Sequence, residues 1–399
     1  MIPRFQPPFG AREIRDILRP ASASVSDFER SFAAKFGALD AVAFSYGRTA
    51  QWAFLRAVEV EDAEVVMPAY TCSVVAHAVA LSGNRPVFVD ISLDDYNASP
   101  ERIAEAVTSR TRAIIATNTF GYPQDPVELE AIVADAEARY GHKVWLIEDC
   151  AHAFGAETAG RKVALSGDVA LFGLNISKII SSIFGGMLIF SDQALADRVR
   201  DWRDSNLEPA DRSAGPRQRA YALASMAALS WVGVSVTSTL AERTRLLDRW
   251  VSAYHLDDQI AFPPDHDHSM TRIGATVGLD QLGRYDEIVE RRRRNAATYD
   301  RELAVGDLDV KGPIVEGATY SHYVVRVPDR AAEVARWRRR GVQLGELIQY
   351  SIPHLRSYRG PDAPGFENSL HASRHLVNIP VDVAAEVAAA IVERSRDGR

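Results

Sequence analysis

The sequence predicts an α/β protein: a large domain whose mainly parallel sheet lies between helices, followed by a smaller C-terminal α/β domain. Three observations carry this. Short apolar runs of strand length alternate with helical patterns through the first half of the chain, the signature of a parallel sheet covered on both faces. The chain has 399 residues, 47% hydrophobic and 25% charged, ample for one large core and a second smaller one. After about residue 205 the pattern changes, and it ends in a region that mixes strands and helices.

The elements follow in order. The run Ala41 to Phe44 precedes a turn at Ser45-Tyr46-Gly47, and a helical stretch runs from Thr49 to Val60. A strand over Glu64 to Met67 leads into Pro68. A helix over Val74 to Leu81 leads to the strand Pro86 to Asp90. Ala113 to Ala116, a helix near Pro126 to Tyr140, and Val144 to Ile147 follow, with Gly186 to Phe190 as a later strand. Polar residues with Pro209 and Pro216 open an atypical segment over 206–268. A long helix is expected from Thr271 onward, carrying the run Arg291 to Arg294, and Tyr323 to Val327 reads as a strand. The predicted division is 1–205, 206–268 and 269–399.

Forty-six basic against 53 acidic side chains give a formal charge of −7, so no general attraction to nucleic acid is expected. The two cysteines, Cys72 and Cys150, lie far apart in apolar runs, which points to a reducing compartment rather than a disulfide framework. The opening MIPRFQPPFG lacks the apolar core of a signal peptide, and a cytoplasmic protein is expected. No internal repeat or metal-ligand spacing stands out.

Three features at predicted strand ends form a constellation, where open parallel sheets bind ligands. The first is Glu148-Asp149-Cys150-Ala151-His152, closing a run too apolar for a solvated face. The second is Asn175-Ile176-Ser177-Lys178, followed by Gly185-Gly186. The third is the turn Ser45-Tyr46-Gly47-Arg48-Thr49. Alone, each has a plainer explanation: a helix cap, a surface lysine, a turn glycine. Together they fit pyridoxal phosphate (PLP). That cofactor needs a lysine for a Schiff base, a carboxylate beside its pyridine nitrogen, and a phosphate cup of backbone N–H groups at a helix start. Asp149 and Lys178 are read as lying on consecutive βα units, so that both converge on one ligand.

The chain resembles the DegT/DnrJ/StrS family of fold type I PLP-dependent sugar aminotransferases over most of its length. Phe44 to Gly47 is similar to the family's SGT-type phosphate turn. Met67 to Thr71 with Arg85 to Asp90 resembles "VPxxT…PVFVD". Glu148 to Ala156 resembles "EDAAQAHGA", and Phe172 to Lys178 with Gly185 to Met187 resembles "FSFxxxK…GGM". Gly278 to Leu282 with Arg291, Arg292 and Tyr299 resembles "GLxQLxxL…RR…Y". The resemblance implies that Lys178 holds the cofactor and moves the proton between cofactor and substrate. It implies that Asp149 pairs with the pyridine nitrogen, that His152 contacts the ring hydroxyl where relatives have Gln, and that Gly47, Arg48 and Thr49 hold the phosphate. It also implies a homodimer that transfers an amino group from an amino acid, glutamate foremost, to a keto sugar carried on a nucleotide.

Some positions depart from the pattern. Cys72 stands where an aromatic usually stacks on the ring, with Tyr70 two residues away. Gly173 replaces a phosphate-binding Ser. Asp267 to Met270 replaces "NYRM", whose Asn reaches the neighbouring subunit's phosphate, and Arg48 or Asn175 is the expected compensation. Dehydratase relatives carry His in place of the lysine, so Lys178 speaks for transamination. A non-catalytic sensor that kept the fold is the reading from another class. Arg291 to Arg294 is read as a solvated helix face, and Tyr320, His322 and His354 as structural or peripheral.

The stretch Ala220 to Ala241 contains no charged side chain and no clean polar face. A single helix of this length would rise about 33 Å, enough to cross a bilayer. A span would separate the two domains that must meet at the cofactor. The expectation is therefore a helix buried at the dimer interface or lying across the active site. Peripheral membrane contact, with a lipid-linked or other cyclic keto acceptor, is the alternative.

Overall fold

The computed structural model describes residues 1–235, 259–303 and 315–396. Two helices lead in, α1 (Ala11–Leu18) and α2 (Val25–Phe36). Ser24 starts α2 with a reciprocal cap: its hydroxyl accepts the Asp27 N–H while the Asp27 carboxylate accepts the Ser24 N–H. Strands and helices then alternate as β1 (Asp40–Phe44), α3 (Gly47–Ala57), β2 (Glu64–Pro68), α4 (Ser73–Leu81), β3 (Arg85–Val89), α5 (Pro100–Ala106), β4 (Thr111–Thr117), α6 (Pro126–Tyr140) and β5 (Trp145–Asp149). A small hairpin of β6 (Glu157–Thr158) and β7 (Arg161–Lys162) precedes β8 (Val169–Gly173) and β9 (Gly186–Phe190). Helices α7 (Gln193–Asn206) and α8 (Ala214–Ala228) follow. Then come α9 (Arg272–Gly283), α10 (Tyr285–Glu302), β10 (Tyr323–Arg326), α11 (Arg330–Arg339), α12 (Glu367–His375), β11 (Leu376–Ile379) and α13 (Ala385–Arg396).

The large sheet has the order β1-β9-β8-β5-β4-β2-β3. Its strands share one direction except β9, which is antiparallel to both neighbours. Side chains alternate faces along each strand. Val65, Ile115, Ile147, Leu171 and Leu188 pack on α3, α4 and α7. On the opposite face, Ala170, Phe172 and Met187 meet Phe28, Phe32 and Phe36 of α2, while Val66, Ile114 and Leu146 meet α6. Buried on both sides, these strands show the near-continuous apolar runs seen in the sequence. The smaller C-terminal domain builds the separate β10–β11 pair, and its core around Tyr299, Tyr323, Trp337, Val377 and Ile391 is continuous with Tyr70, Phe120 and Tyr122 of the large domain.

Several expectations need correction. Lys178 is not on a βα unit: β8 ends at Gly173, residues 174–185 form an irregular loop, and the chain returns as β9. The helix expected from Thr271 breaks at Arg284 into α9 and α10. Of the arginine run only Arg294 lies on a solvated face. Arg292 is buried and donates to the carbonyls of Tyr320 and Ser321 and to Asp382. Arg293 donates to the carbonyls of Ala318 and Gly317, and Arg291 pairs with Asp382 at 2.6 Å. Charge counting along one helix could not show that these guanidiniums find carbonyls on another segment.

The stretch 220–241 is not one continuous helix. α8 begins at Ala214, takes in Arg217 and Arg219, and stops at Ala228; residues 236–241 lie outside the described residues. One side of α8 meets α1 and α9, with Ala222 fully buried beside Ile17 and Ile273. Within one chain, Tyr221, Leu223, Trp231 and Val232 are exposed, as residues covered by a second copy or another surface would be. No helix among the described residues is long and apolar enough to cross a membrane.

Candidate active site

The carboxyl ends of β4, β5 and β8 and the starts of α3 and α4 meet at one place, as βα geometry dictates. Asp149 ends β5 and is buried, with Oδ1 accepting the Ala151 N–H at 3.0 Å. Burial pushes its carboxyl pKa up, against the opposing pull of the Ala151 N–H, the Lys178 charge and Thr117. Among the described residues it has no ion-pair partner within 4 Å. A buried carboxylate in that state would have its charge restored by a cation brought against it, as a protonated pyridine nitrogen would be.

Lys178 sits in the loop between β8 and β9. Asn175 shapes that loop: its Oδ1 accepts the Ser177 N–H at 3.0 Å and the Ser177 hydroxyl at 2.6 Å, and its carbonyl accepts the Lys178 N–H at 3.0 Å. The Asn175 side chain is exposed and engaged in this turn. Burial lowers the pKa of the Lys178 amine, while the charges of Cys72 and Asp149 act the other way. Desolvation therefore raises the share of free amine, the form that adds to a carbonyl.

Gly47, Arg48 and Thr49 are the first residues of α3, so their N–H groups have no intrahelical acceptor. The Thr49 hydroxyl donates to the His266 carbonyl at 3.0 Å, so any anion there would use backbone N–H groups. Gly173 and Gly186 bring this start close to the lysine loop. A Cβ on Gly186 would fall 2.4 Å from the Tyr46 carbonyl and 2.6 Å from the Gly47 nitrogen. A Cβ on Gly173 would lie 3.4 Å from Lys178 Cε, an ordinary contact.

Cys72 caps α4 and is half-buried. Next to it, the Ser73 N–H donates to the Tyr350 hydroxyl at 2.9 Å, so a C-terminal residue the sequence did not flag reaches this wall. Tyr70 is not positioned to substitute for a stacking ring. It is fully buried, packs on Phe120 and donates to the Ile348 carbonyl.

His152 accepts the Phe120 N–H at Nδ1, 3.3 Å away, which places its own proton on Nε2. Burial holds its pKa well below the usual value, with help from the charges of Lys178 and His322. His322 is the second residue the sequence reading set aside. Its ring is 5.3 Å from that of His152, and burial together with Arg292, Lys178 and Arg4 takes its pKa down to about 3. A seam holds this pair. The Thr319 N–H donates to the Gly121 carbonyl at 3.0 Å, and Phe120 and Tyr320 carry φ angles of 58° and 48°. Such left-handed backbone persists where surrounding packing enforces it.

The family model for the DegT/DnrJ/EryC1/StrS aminotransferases matches residues 17–393. The spore coat polysaccharide biosynthesis protein SpsC of Bacillus subtilis (strain 168) is 25% identical over 403 aligned positions, 95% of this chain and 92% of that protein. The GDP-perosamine synthase of Escherichia coli O157:H7 is 26% identical over 280, covering 70% of this chain and 63% of that one. A putative sugar aminotransferase, Spr1654 from Streptococcus pneumoniae in its PMP form, shares the fold with a TM-score of 0.76 at 19% identity, over 99% of this chain and 96% of that chain. With a match over nearly the whole chain, this protein belongs to the DegT/DnrJ/EryC1/StrS aminotransferase family.

Proposed function

We propose that this enzyme binds PLP at Lys178 and moves an amino group from an amino acid, glutamate foremost, to a keto sugar linked to a nucleotide. The observation that supports it most is the convergence of a desolvated lysine amine, a buried unpaired carboxylate and a helix start at one end of the sheet. In this reading the N–H groups of Gly47, Arg48 and Thr49 would hold the phosphate, Asp149 the pyridine nitrogen and the His152 Nε2–H the ring hydroxyl, with Cys72 beside the ring. Asn175 holds the lysine loop in shape. When bound, PLP supplies an electron sink that acidifies the carbon bearing the donor's amine. The Lys178 amine, its uncharged form favoured by desolvation, would take a proton from that carbon and hand it on. Neutral His152 and His322 line the site without adding charge.

The test is chemical. Borohydride reduction of PLP-loaded protein followed by peptide mapping should leave the cofactor on Lys178; label on another lysine would refute the assignment. Exposed Trp231 and Val232, 44% and 74% accessible, favour a second reading in which this segment meets another copy of the chain or a membrane surface carrying a lipid-linked acceptor. Flotation with liposomes, lost when both become polar, would favour the membrane version.

A further inference from the structure

The N-terminal segment is built into the small domain. The Ile2 N–H donates to the Gly341 carbonyl at 2.8 Å and the Ile2 carbonyl accepts from Gln343 at 2.9 Å. Ile2 is buried in that domain's core, and the Arg4 N–H donates to Gln343 Oε1 at 3.2 Å. Ile2 pairs in parallel with Val342, Gly345 pairs with Asn378, and Asn378 is the β11 partner of Val324 on β10. Two residues on from Ile2, Arg4 is therefore level with Leu344 and, across β11, with Tyr323, the residue after His322. This register puts Arg4 at the end of the small domain that faces the cofactor pocket.

Arg4 is solvent-accessible yet closely surrounded by protein, so that burial lowers its pKa, and its guanidinium makes no hydrogen bond or ion pair among the described residues. The carboxylate nearest it in charge is Glu346, already bound by Arg330 at 3.0 Å. Two cations thus share one anion. The positive charge of Arg4 also reaches His322, which lies against His152 and within the field of Lys178. A line of groups with no negative member leads from Arg4 through the neutral imidazole of His322 to the lysine amine. It does so in a chain whose formal net charge is −7.

We propose that Arg4 binds the side-chain carboxylate of a dicarboxylic amino-acid donor. The inference rests on the aminotransferase reading for its choice of ligand. A donor's reacting carbon must come to the Lys178 amine. Its α-carboxylate stays within one bond of that carbon, whereas the side-chain carboxylate of glutamate lies three carbons further out, a reach that could meet Arg4 on the small-domain side beyond His322. A guanidinium there offers paired N–H donors matched to a carboxylate, and its fixed backbone limits the entropy lost on binding. An acceptor's phosphate is an oxyanion too, so the experiment separates the two sources.

Arg4→Gln and Arg4→Lys are compared with wild-type holoenzyme. Calorimetry measures the Kd of glutarate, which has both carboxylates but no amine, and of thymidine diphosphate. Absorbance follows the half-reaction with glutamate and with alanine. Arg4→Gln should weaken glutarate and raise the glutamate KM tenfold or more, leave alanine and thymidine diphosphate within twofold, and Arg4→Lys should recover part of the loss. Glutarate and glutamate within twofold of wild type, or a loss confined to thymidine diphosphate, would overturn the proposal. Glutarate weakened by Arg4→Gln in a protein that converts no amino acid would instead uphold the site and remove the aminotransferase reading.

Discussion

The imidazole of His322 lies 5.3 Å from that of His152, their planes tilted by 57°, so one ring from the small domain meets one from the large domain beside Lys178. Both are kept neutral by burial and by neighbouring cations. An acidic medium must therefore charge them by opening the seam between Phe120, Thr319 and Tyr320.

That gives the first prediction. A histidine whose folded pKa is depressed stabilises the fold fully above the unfolded value, about 6.5, and loses that contribution as pH falls toward the folded value, about 3 for His322. Urea unfolding between pH 7 and 4.5 should show stability falling by up to about 1.4 kcal/mol per pH unit for each such ring. His322→Gln should flatten the slope. An unchanged slope would mean that the ring is already free to ionise.

Asp149→Asn should fold, because an amide oxygen can still accept the Ala151 N–H. It should bind PLP yet lose on the order of a hundredfold or more in turnover, since no charge faces the pyridine nitrogen. Near-normal kcat would reduce Asp149 to a cap for the turn at Ala151.

Two glycines should behave oppositely. Gly173→Ala places its methyl at ordinary contact distance from Lys178 and Ala151, whereas Gly186→Ala drives one into the backbone of Tyr46 and Gly47. Gly173→Ala should change stability by less than about 1 kcal/mol. Gly186→Ala should displace the start of α3 and weaken PLP binding at least tenfold, read by fluorescence titration. Equal PLP affinity in the two variants would count against a phosphate cup at Gly47.

Arg292→Met should cost about 3 kcal/mol or more, because it strands the carbonyls of Tyr320 and Ser321 and leaves Asp382 with Arg291 alone. The Tm should drop, and substrate KM should rise as the residues leading to His322 loosen.

Glu148, next to Asp149 but on the opposite face of β5, offers a check at the alkaline end. Burial raises its carboxyl to about 8, and Asn118 and Ser166 both contact it. A raised carboxyl pKa stabilises the fold below the unfolded value, about 4.3, and that support is lost as pH climbs toward 8. Glu148→Gln, shaped like the protonated acid, should be at least as stable as wild type at pH 8 and should flatten the decline. A large loss at pH 8 would show that the ionised form is the one the fold requires.

Much of this architecture was legible because burial leaves a mark on sequence. α6 and β9 fall at the predicted bounds, Pro126–Tyr140 and Gly186–Phe190, since a proline starts one and glycines open the other. The direction of β9 was not legible: an apolar run between two buried neighbours reads alike in either sense. The Ser24–Asp27 pair did carry a helix-start signal, and α2 could have been found from it. The placements of Arg292, His322, Tyr350 and Arg4 depend on residues far away in the chain, and no local pattern marks them. That Asp149 and Lys178 come near each other was legible from residue type and spacing, but the loop carrying the lysine was mistaken for a helix start.

The antiparallel return of β9 has a metric consequence. Gly173 pairs with Gly186, so residues 174–185 hang from a closed clasp, and the other side of β8 is set against β5 by the pair Asp149 and Leu171. Changes of length within 174–185 leave that clasp intact. A slip of one residue between β5 and β8 would move the lysine's anchor by about 3.3 Å and turn its inner side chains outward. The alignment of amine and carboxylate is thus gauged by a strand register, so an insertion in β8 should be far more damaging than one of equal size near Ser181.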